Sequence, residues 1–225
     1  MIAKLGRVLN IVFSKTAPDP FVIAIVLTLV AGILALTLGH YDGADTFPDR
    51  ANAMIDAWRG TSGIWKFLGF GMQMCLILVT GHALAASKPI SRMIRVLASV
   101  PKSAPAAAAL VGFIAVVFGL ISWGLGLIVG ALFAREVAQV CAQKGIKVHG
   151  PLLAAAGYCG LLVWHGGFSG SAPLKMTTEA QARDVLPAQV FDAMSIKHLP
   201  LSETLLSPMN LFVAMGMLVL VPIVF

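Results

Sequence analysis

The chain has 225 residues, 58% of them hydrophobic and only 12% charged, with a formal net charge of +6 and a mean hydropathy of +0.89. Soluble domains carry about 25% charged residues, so this composition excludes an ordinary water-soluble fold and predicts an all-α, polytopic membrane protein. The positive charge does not call for nucleic acid, because Lys and Arg beside apolar spans are the mark of cytoplasmic membrane flanks.

No Gly/Ser- or Pro-rich linker divides the sequence, which reads as a single membrane domain over 1–225. Residues 1–17 form an amphipathic cytoplasmic helix that sets Lys4, Arg7 and Ser14 against Leu5, Leu9, Val12 and Phe13. A first span follows at 20–38, with the apolar run Phe21 to Leu38. A signal peptide has a shorter apolar core and a small-residue cleavage site. Here Gly39-His40-Tyr41-Asp42 follows instead, which predicts a retained anchor.

The loop after it carries Asp42, Asp45, Asp49 and Asp56. A second span is predicted at 67–87, where Gln73 and Thr80 share a face and read as polar glue between helices or as substrate contacts. His82 stands near its end, on another face. Residues 88–102 form a second interfacial amphipathic helix, with Lys88, Arg92, Arg95, Ser99 and Lys102 opposite Ile90, Met93, Ile94, Leu97 and Val100.

The run Ala104 to Phe133 contains no charged residue. One helix of that length would reach about 45 Å, well beyond a hydrocarbon core of about 30 Å, while two arms of about 15 residues would fall short. A re-entrant helical hairpin over 104–139, turning at "SWGLG" (Ser122 to Gly126), fits both limits. Charge agrees, since a returning hairpin puts Arg135, Lys144 and Lys147 with Lys88, Arg92, Arg95 and Lys102, on the side of Lys4, Arg7 and Lys15. The N-terminus is then cytoplasmic. Glu136, beside Arg135, reads as part of an interfacial ion pair.

Residues 150–176 form a broken transmembrane helix. The apolar stretch Pro151 to Trp164 is too short to span alone and runs into "HGGFSGS". An extracytoplasmic loop over 177–208 and a further span over 209–225, inside which the sequence stops, complete the order.

Irregular backbone at membrane depth leaves N–H and C=O groups unpaired, at several kcal/mol per group, unless protein, water or ligand satisfies them. Two such breaks point to a ligand site of the kind found in secondary transporters. There, half-helix N-termini face anionic substrate and unwound carbonyls hold a coupling cation. The candidate substrate-binding residues are Ser122, Trp123, Gly124 and Gly126 at the hairpin tip, with Trp164, His165, Gly166, Gly167, Ser169, Gly170 and Ser171 at the second break. Close helix packing is the competing reading of the glycines, and Gly126 to Gly130 has small-xxx-small spacing. Trp123 and Trp164 serve as pocket walls or as interfacial anchors. His165 is either a proton-coupling residue or a hydrogen-bonded buried histidine.

Cys75, Cys141 and Cys159 are odd in number and lack CxxC spacing, so they read as small packing residues, with neither disulfide nor metal site. No Walker A or G-x-G-x-x-G motif is present. "GFSGS" fails the G-x-S-x-G pattern and has no nearby carboxylate. A membrane-embedded serine hydrolase using Ser169 or Ser171 with His165 is therefore the alternative to a carrier, as is an anion channel component.

Four stretches in order, "PDPFVIAIVLTL" (Pro18 to Leu29), "FGMQMCLILVTGHALA" (Phe70 to Ala85), "ISWGLGLIVGALFAREVA" (Ile121 to Ala138) and "VWHGGFSGSAPL" (Val163 to Leu174), resemble the bacterial short-chain fatty acid transporter family. The family includes acetoacetate and butyrate uptake proteins and is grouped with the ion transporter superfamily. The resemblance implies an inner-membrane secondary transporter of two inverted halves, with this chain as the N-terminal half. It also implies a dimerising scaffold, hence a homodimer when complete, and no cofactor. The missing C-terminal half would supply the other wall of the pocket. The substrate implied is a small carboxylate. In this half no Asp or Glu lies within an apolar span, so coupling to Na+ or H+ would use His165, His82, the second half, or backbone carbonyls with serine hydroxyls.

Overall fold

A computed structural model describes residues 2–41, 43, 46–61 and 63–225. The described residues are helical or irregular, with no strand among them. Contacts group the chain into two compact units, Met1–Met74 and Cys75–Phe225. Five segments are long and apolar enough to cross a membrane by length and composition. The all-α, multi-pass membrane class follows from them.

In the first unit, α1 (Ile2–Thr16) precedes α2 (Pro20–Leu38). The side chains of Lys4, Leu5, Arg7 and Ser14, on which the expected amphipathic face of α1 rests, lie outside the described residues. Asp19 caps α2, its carboxylate accepting the Phe21 N–H at 2.8 Å, and Pro20 fills the first turn where its missing N–H costs nothing. No residue of α2 is buried, as suits a helix facing lipid.

The acidic loop is partly a helix, α3 (Phe47–Arg59). Thr46 caps it, its hydroxyl accepting the Asp49 N–H at 3.4 Å and donating to the Asp49 carboxylate at 2.5 Å. Asp42 and Asp45 lie outside the described residues. A 3-10 turn, Ile64–Phe67, leads into α4 (Leu68–Ala86).

The second unit is built on a helical hairpin. α6 (Ala104–Ile121) and α7 (Trp123–Gln143) meet at Ser122, the predicted turn. The arms are longer than the sequence argument assumed. They have 18 and 21 residues, or about 27 and 32 Å, because α7 continues through Arg135, Glu136 and Gln139 into its last polar turns. Each is long enough to cross by length and composition, so the arm-length argument for a shallow re-entry does not hold. The return itself is visible: near the end of α7, Lys144 Nζ donates to the Ser99 carbonyl at the end of α5 (Lys88–Ala98).

α5 buries Ile94 and Ala98 against the hairpin, in a cluster with Ala107, Val111, Phe133, Val137 and Cys141. Its apolar side is therefore held by protein. Glu136, partly buried, pairs with the exposed Arg95 of α5 at 3.9 Å, a long contact that contributes little to stability. Cys141 is fully buried and all three cysteines are free.

α8 (Gly150–Tyr158) starts with Pro151 in its first turn and packs on both arms of the hairpin. Nine residues reach only about 14 Å. The chain then tightens into 3-10 turns at Cys159–Leu162 and Trp164–Gly166 and resumes as α9 (Ser171–Lys175). The segment 177–208 holds two short helices, α10 (Glu179–Val185) and α11 (Ala188–Ala193). They fold around buried Phe191, whose ring lies 4.8 Å from the Arg183 guanidinium and 4.7 Å from Lys197 Nζ. α12 (Pro208–Val224), capped by Ser207, packs on α6.

Candidate functional site

Glycines bring the elements together. A Cβ at Gly119 would sit 2.2 Å from the Gly160 carbonyl oxygen, one at Gly126 2.7 Å from the Gly119 Cα, and one at Gly130 2.2 Å from the Gly157 carbonyl oxygen. Backbone thus rests directly on backbone where α6, α7 and the end of α8 cross, and no side chain fits between them. Gly124 meets Ile77 of α4, 2.4 Å from a would-be Cβ. The side-chain positions of Gly124 and Gly126 are therefore taken up by helix packing, the competing reading left open above.

That closeness lets the two breaks join. Ser122 is extended (φ −157°, ψ 132°) and makes no cap of its own for α7. The Trp123 N–H instead donates to Ser169 Oγ at 2.8 Å, so the cap comes from 46 residues away. The Leu120 carbonyl, which an unbroken helix would use for the Gly124 N–H, accepts the Phe168 N–H at 2.8 Å. Gly167 permits this approach, since a Cβ there would fall 2.3 Å from the Leu120 oxygen.

The Gly126 N–H closes the first turn on the Ser122 carbonyl at 2.8 Å. Among the described residues, no acceptor meets the N–H groups of Gly124 and Leu125. They are orphan donors at the positive end of a 21-residue helix.

The aromatic rings follow the same pairing. Trp123 and Trp164 lie 6.3 Å apart between centroids, tilted by 56°. His165 is exposed and stacks on Trp164 at 3.7 Å. Ser171 is exposed at the start of α9, and Gly170 packs on the His165 carbonyl.

Asn210 of α12 was not anticipated. Its side-chain amide donates to the Gly166 carbonyl at 2.9 Å and to the Leu205 carbonyl at 2.7 Å, anchoring the break to α12. A polar side chain at the start of an apolar span was the available signal. In contrast, the Thr80 hydroxyl turns back to its own helix, donating to the Leu76 carbonyl at 2.6 Å. His82 faces a separate pocket of about 180 Å3 with Ser91, Arg135, Glu136 and Gln139. Among the described residues, no group of three or more His, Cys, Asp or Glu side chains could hold a metal ion.

Sequence comparison carries the assignment from site geometry to family. The pattern of the family described as Short chain fatty acid transporter matches residues 1–225, the whole chain. The chain belongs to that family. A protein of Escherichia coli K12 named "Putative short-chain fatty acid transporter" is 37% identical over 227 aligned residues. A Haemophilus influenzae protein of the same name is 36% identical over 224. Each alignment covers 100% of this chain and 46% of the relative, so the chain spans about half the length of these curated relatives. No solved structure matches it. The joined breaks described above are thus a feature of a short chain fatty acid transporter family chain.

Proposed function

We propose that this chain forms one wall of a carrier for short-chain fatty acids or other small monocarboxylates in the bacterial inner membrane, with its N-terminus cytoplasmic. A second half and a homodimeric scaffold complete the carrier, and Na+ or H+ drives it. The observation that carries the reading is the pairing of the two breaks. Ser169 supplies one cap to α7 and leaves the Gly124 and Leu125 amides unpaired beside Ser122, Trp123 and Trp164. Preorganised amides at a half-helix end suit a carboxylate, and the indole rings suit its short apolar tail.

The basic residues support the orientation. The hairpin returns Lys144 to the end of α5, which joins it to Lys88, Arg92 and Arg95, and cytoplasmic flanks carry such residues. A hydrolase reading has no support from the family match, whose relatives are named as transporters. The Ser169 hydroxyl is held by the Trp123 amide, and no hydrogen bond joins His165 to a serine among the described residues.

Reconstitution of the whole transporter in liposomes tests the reading. Labelled butyrate or acetoacetate should show saturable counterflow, whereas flux without counterflow would identify a channel. Ser169→Ala and Gly167→Leu should each abolish uptake while leaving membrane insertion intact, and uptake unchanged in both would remove this stretch from the site. For coupling, His165→Ala should flatten the pH dependence of uptake if H+ passes through His165. A preserved profile with dependence on Na+ assigns the coupling to Na+.

A further inference from the structure

The polar notch of about 180 Å3 between α4, α5 and α7 plays no part in the paired breaks, since Arg135 lies about 18 Å along α7 from Trp123. His82 of α4, Ser91 of α5, and Arg135, Glu136 and Gln139 of α7 line it. Arg135 also borders a second space, an apolar groove of about 330 Å3 lined by Leu127, Ala131 and Ala134 of α7 and Ala154, Gly157 and Tyr158 of α8. We propose that notch and groove form one site for an anionic phospholipid, with its phosphate in the notch and an acyl chain in the groove. This site is independent of the carrier reading.

The notch selects for negative charge. Glu136 is already matched by Arg95, whose guanidinium also donates to Ser91 Oγ at 3.2 Å. Among the described residues, the side chains of His82, Arg135 and Gln139 have no hydrogen-bond or ion-pair partner. An imidazole N–H, a guanidinium fork, a side-chain amide and the free Ser91 hydroxyl proton are therefore offered to one space. Arg135 is left as its uncompensated charge. A guanidinium binds phosphate oxygens in a bidentate manner, and basic pockets between membrane helices are where anionic head groups dock.

Spacing on α7 joins the two spaces. Leu132, Glu136 and Gln139 fall on one side of Arg135 around the helix and Leu127, Ala134 and Ala138 on the other, so Arg135 stands on the ridge between them. From Leu127 to Ala138 the groove follows α7 for about 16 Å, close to half of a hydrocarbon core of about 30 Å. That is the depth of one leaflet. Ala131, Ala154 and Tyr158 are exposed, so the groove is open along its length and an acyl chain enters it sideways from the bilayer. The wall that carries His82 is held in place, because neighbouring Gly81 is buried and a Cβ on it would lie 2.4 Å from Ile128 of α7.

The test is native mass spectrometry of the detergent-purified whole transporter, titrated with dioleoylphosphatidylglycerol or with dioleoylphosphatidylcholine. The wild type should prefer phosphatidylglycerol, and Arg135→Gln should weaken its binding by about tenfold or more, as for the loss of a charge-assisted hydrogen bond. Lys88→Gln removes a charge from α5 outside the notch and should stay within about twofold of wild type. Ala154→Leu fills the groove with every charge intact and should also weaken phosphatidylglycerol, which keeps the test open if Arg135→Gln fails to insert. Binding unchanged in both Arg135→Gln and Ala154→Leu would mean that another occupant, such as a helix of the second half, covers the site, and overturns the proposal. Equal losses in Lys88→Gln and Arg135→Gln would reduce it to general surface charge, which overturns it as well. Inorganic phosphate or glycerophosphoglycerol competing as strongly as the whole lipid would make phosphate alone the ligand and overturn the assignment to a phospholipid.

Discussion

Replacing Ser169 by alanine removes a single hydroxyl from the protein, and its effect should appear 46 residues away. That hydroxyl is the acceptor for the Trp123 N–H at 2.8 Å, and both residues are half-buried. Losing a helix N-cap costs about 0.5–2 kcal/mol, and leaving a buried donor unpaired costs about 1–3 kcal/mol. Partial exposure places the expected loss near the overlap, about 1–2 kcal/mol, equivalent to a factor of about 5–30 in a local opening equilibrium. Amide hydrogen exchange on the purified transporter reads this directly. Protection at Trp123 should fall by that factor in Ser169→Ala, while the buried part of α6 from Val111 to Val116 keeps its own. Ser169→Thr should retain the bond. Ser122→Ala should leave Trp123 unchanged, because the Ser122 side chain makes no cap even though it sits next in sequence. If Ser122→Ala opens α7 and Ser169→Ala does not, the cap is local and the pairing of the two breaks is refuted.

Two further substitutions probe the packing that holds the breaks together. Gly119→Ala places a methyl 2.2 Å from the Gly160 carbonyl oxygen, backbone that cannot rotate aside, so α6 must separate from the 3-10 turn that follows α8. Overpacking of this kind costs about 1–3 kcal/mol, and at about 2–4 °C per kcal/mol the melting temperature should drop by about 2–12 °C; Gly32→Ala in α2, with nothing within 4 Å, should lose none. Asn210→Ala removes the donors to the Gly166 and Leu205 carbonyls, at about 1–3 kcal/mol. It should speed exchange at the Gly167 and Gly170 amides, and unchanged exchange there would show that α12 does not hold the break.

Much of the architecture was legible because membrane insertion is governed by local composition. The boundaries of α2 and α4 fall within a residue of the spans read from the apolar runs, and the hairpin turns at Ser122 as its Ser-Trp-Gly sequence indicated. Other features carried a signal that went unread. A Thr46 N-cap followed by Pro48 in the first turn and Asp49 marks the start of α3, yet the density of acids made that stretch look like a plain loop. Arm length was misjudged where α7 outlasts its apolar run, because helix continues wherever backbone bonds continue, whether the outer turns are greasy or charged.

By itself the sequence determined the class of the protein, the order of its apolar helices, and the two places where they break. Each of these follows from residues next to one another: hydropathy over a window, a proline in a first turn, glycines in a row. Only the tertiary structure decided that the breaks meet, that Ser169 rather than Ser122 caps α7, that Gly126 rests on Gly119, and that Asn210 of α12 anchors Gly166. Those pairings depend on how closely helices approach, which is set by the missing Cβ atoms at facing positions, and no window along the chain records which positions face each other.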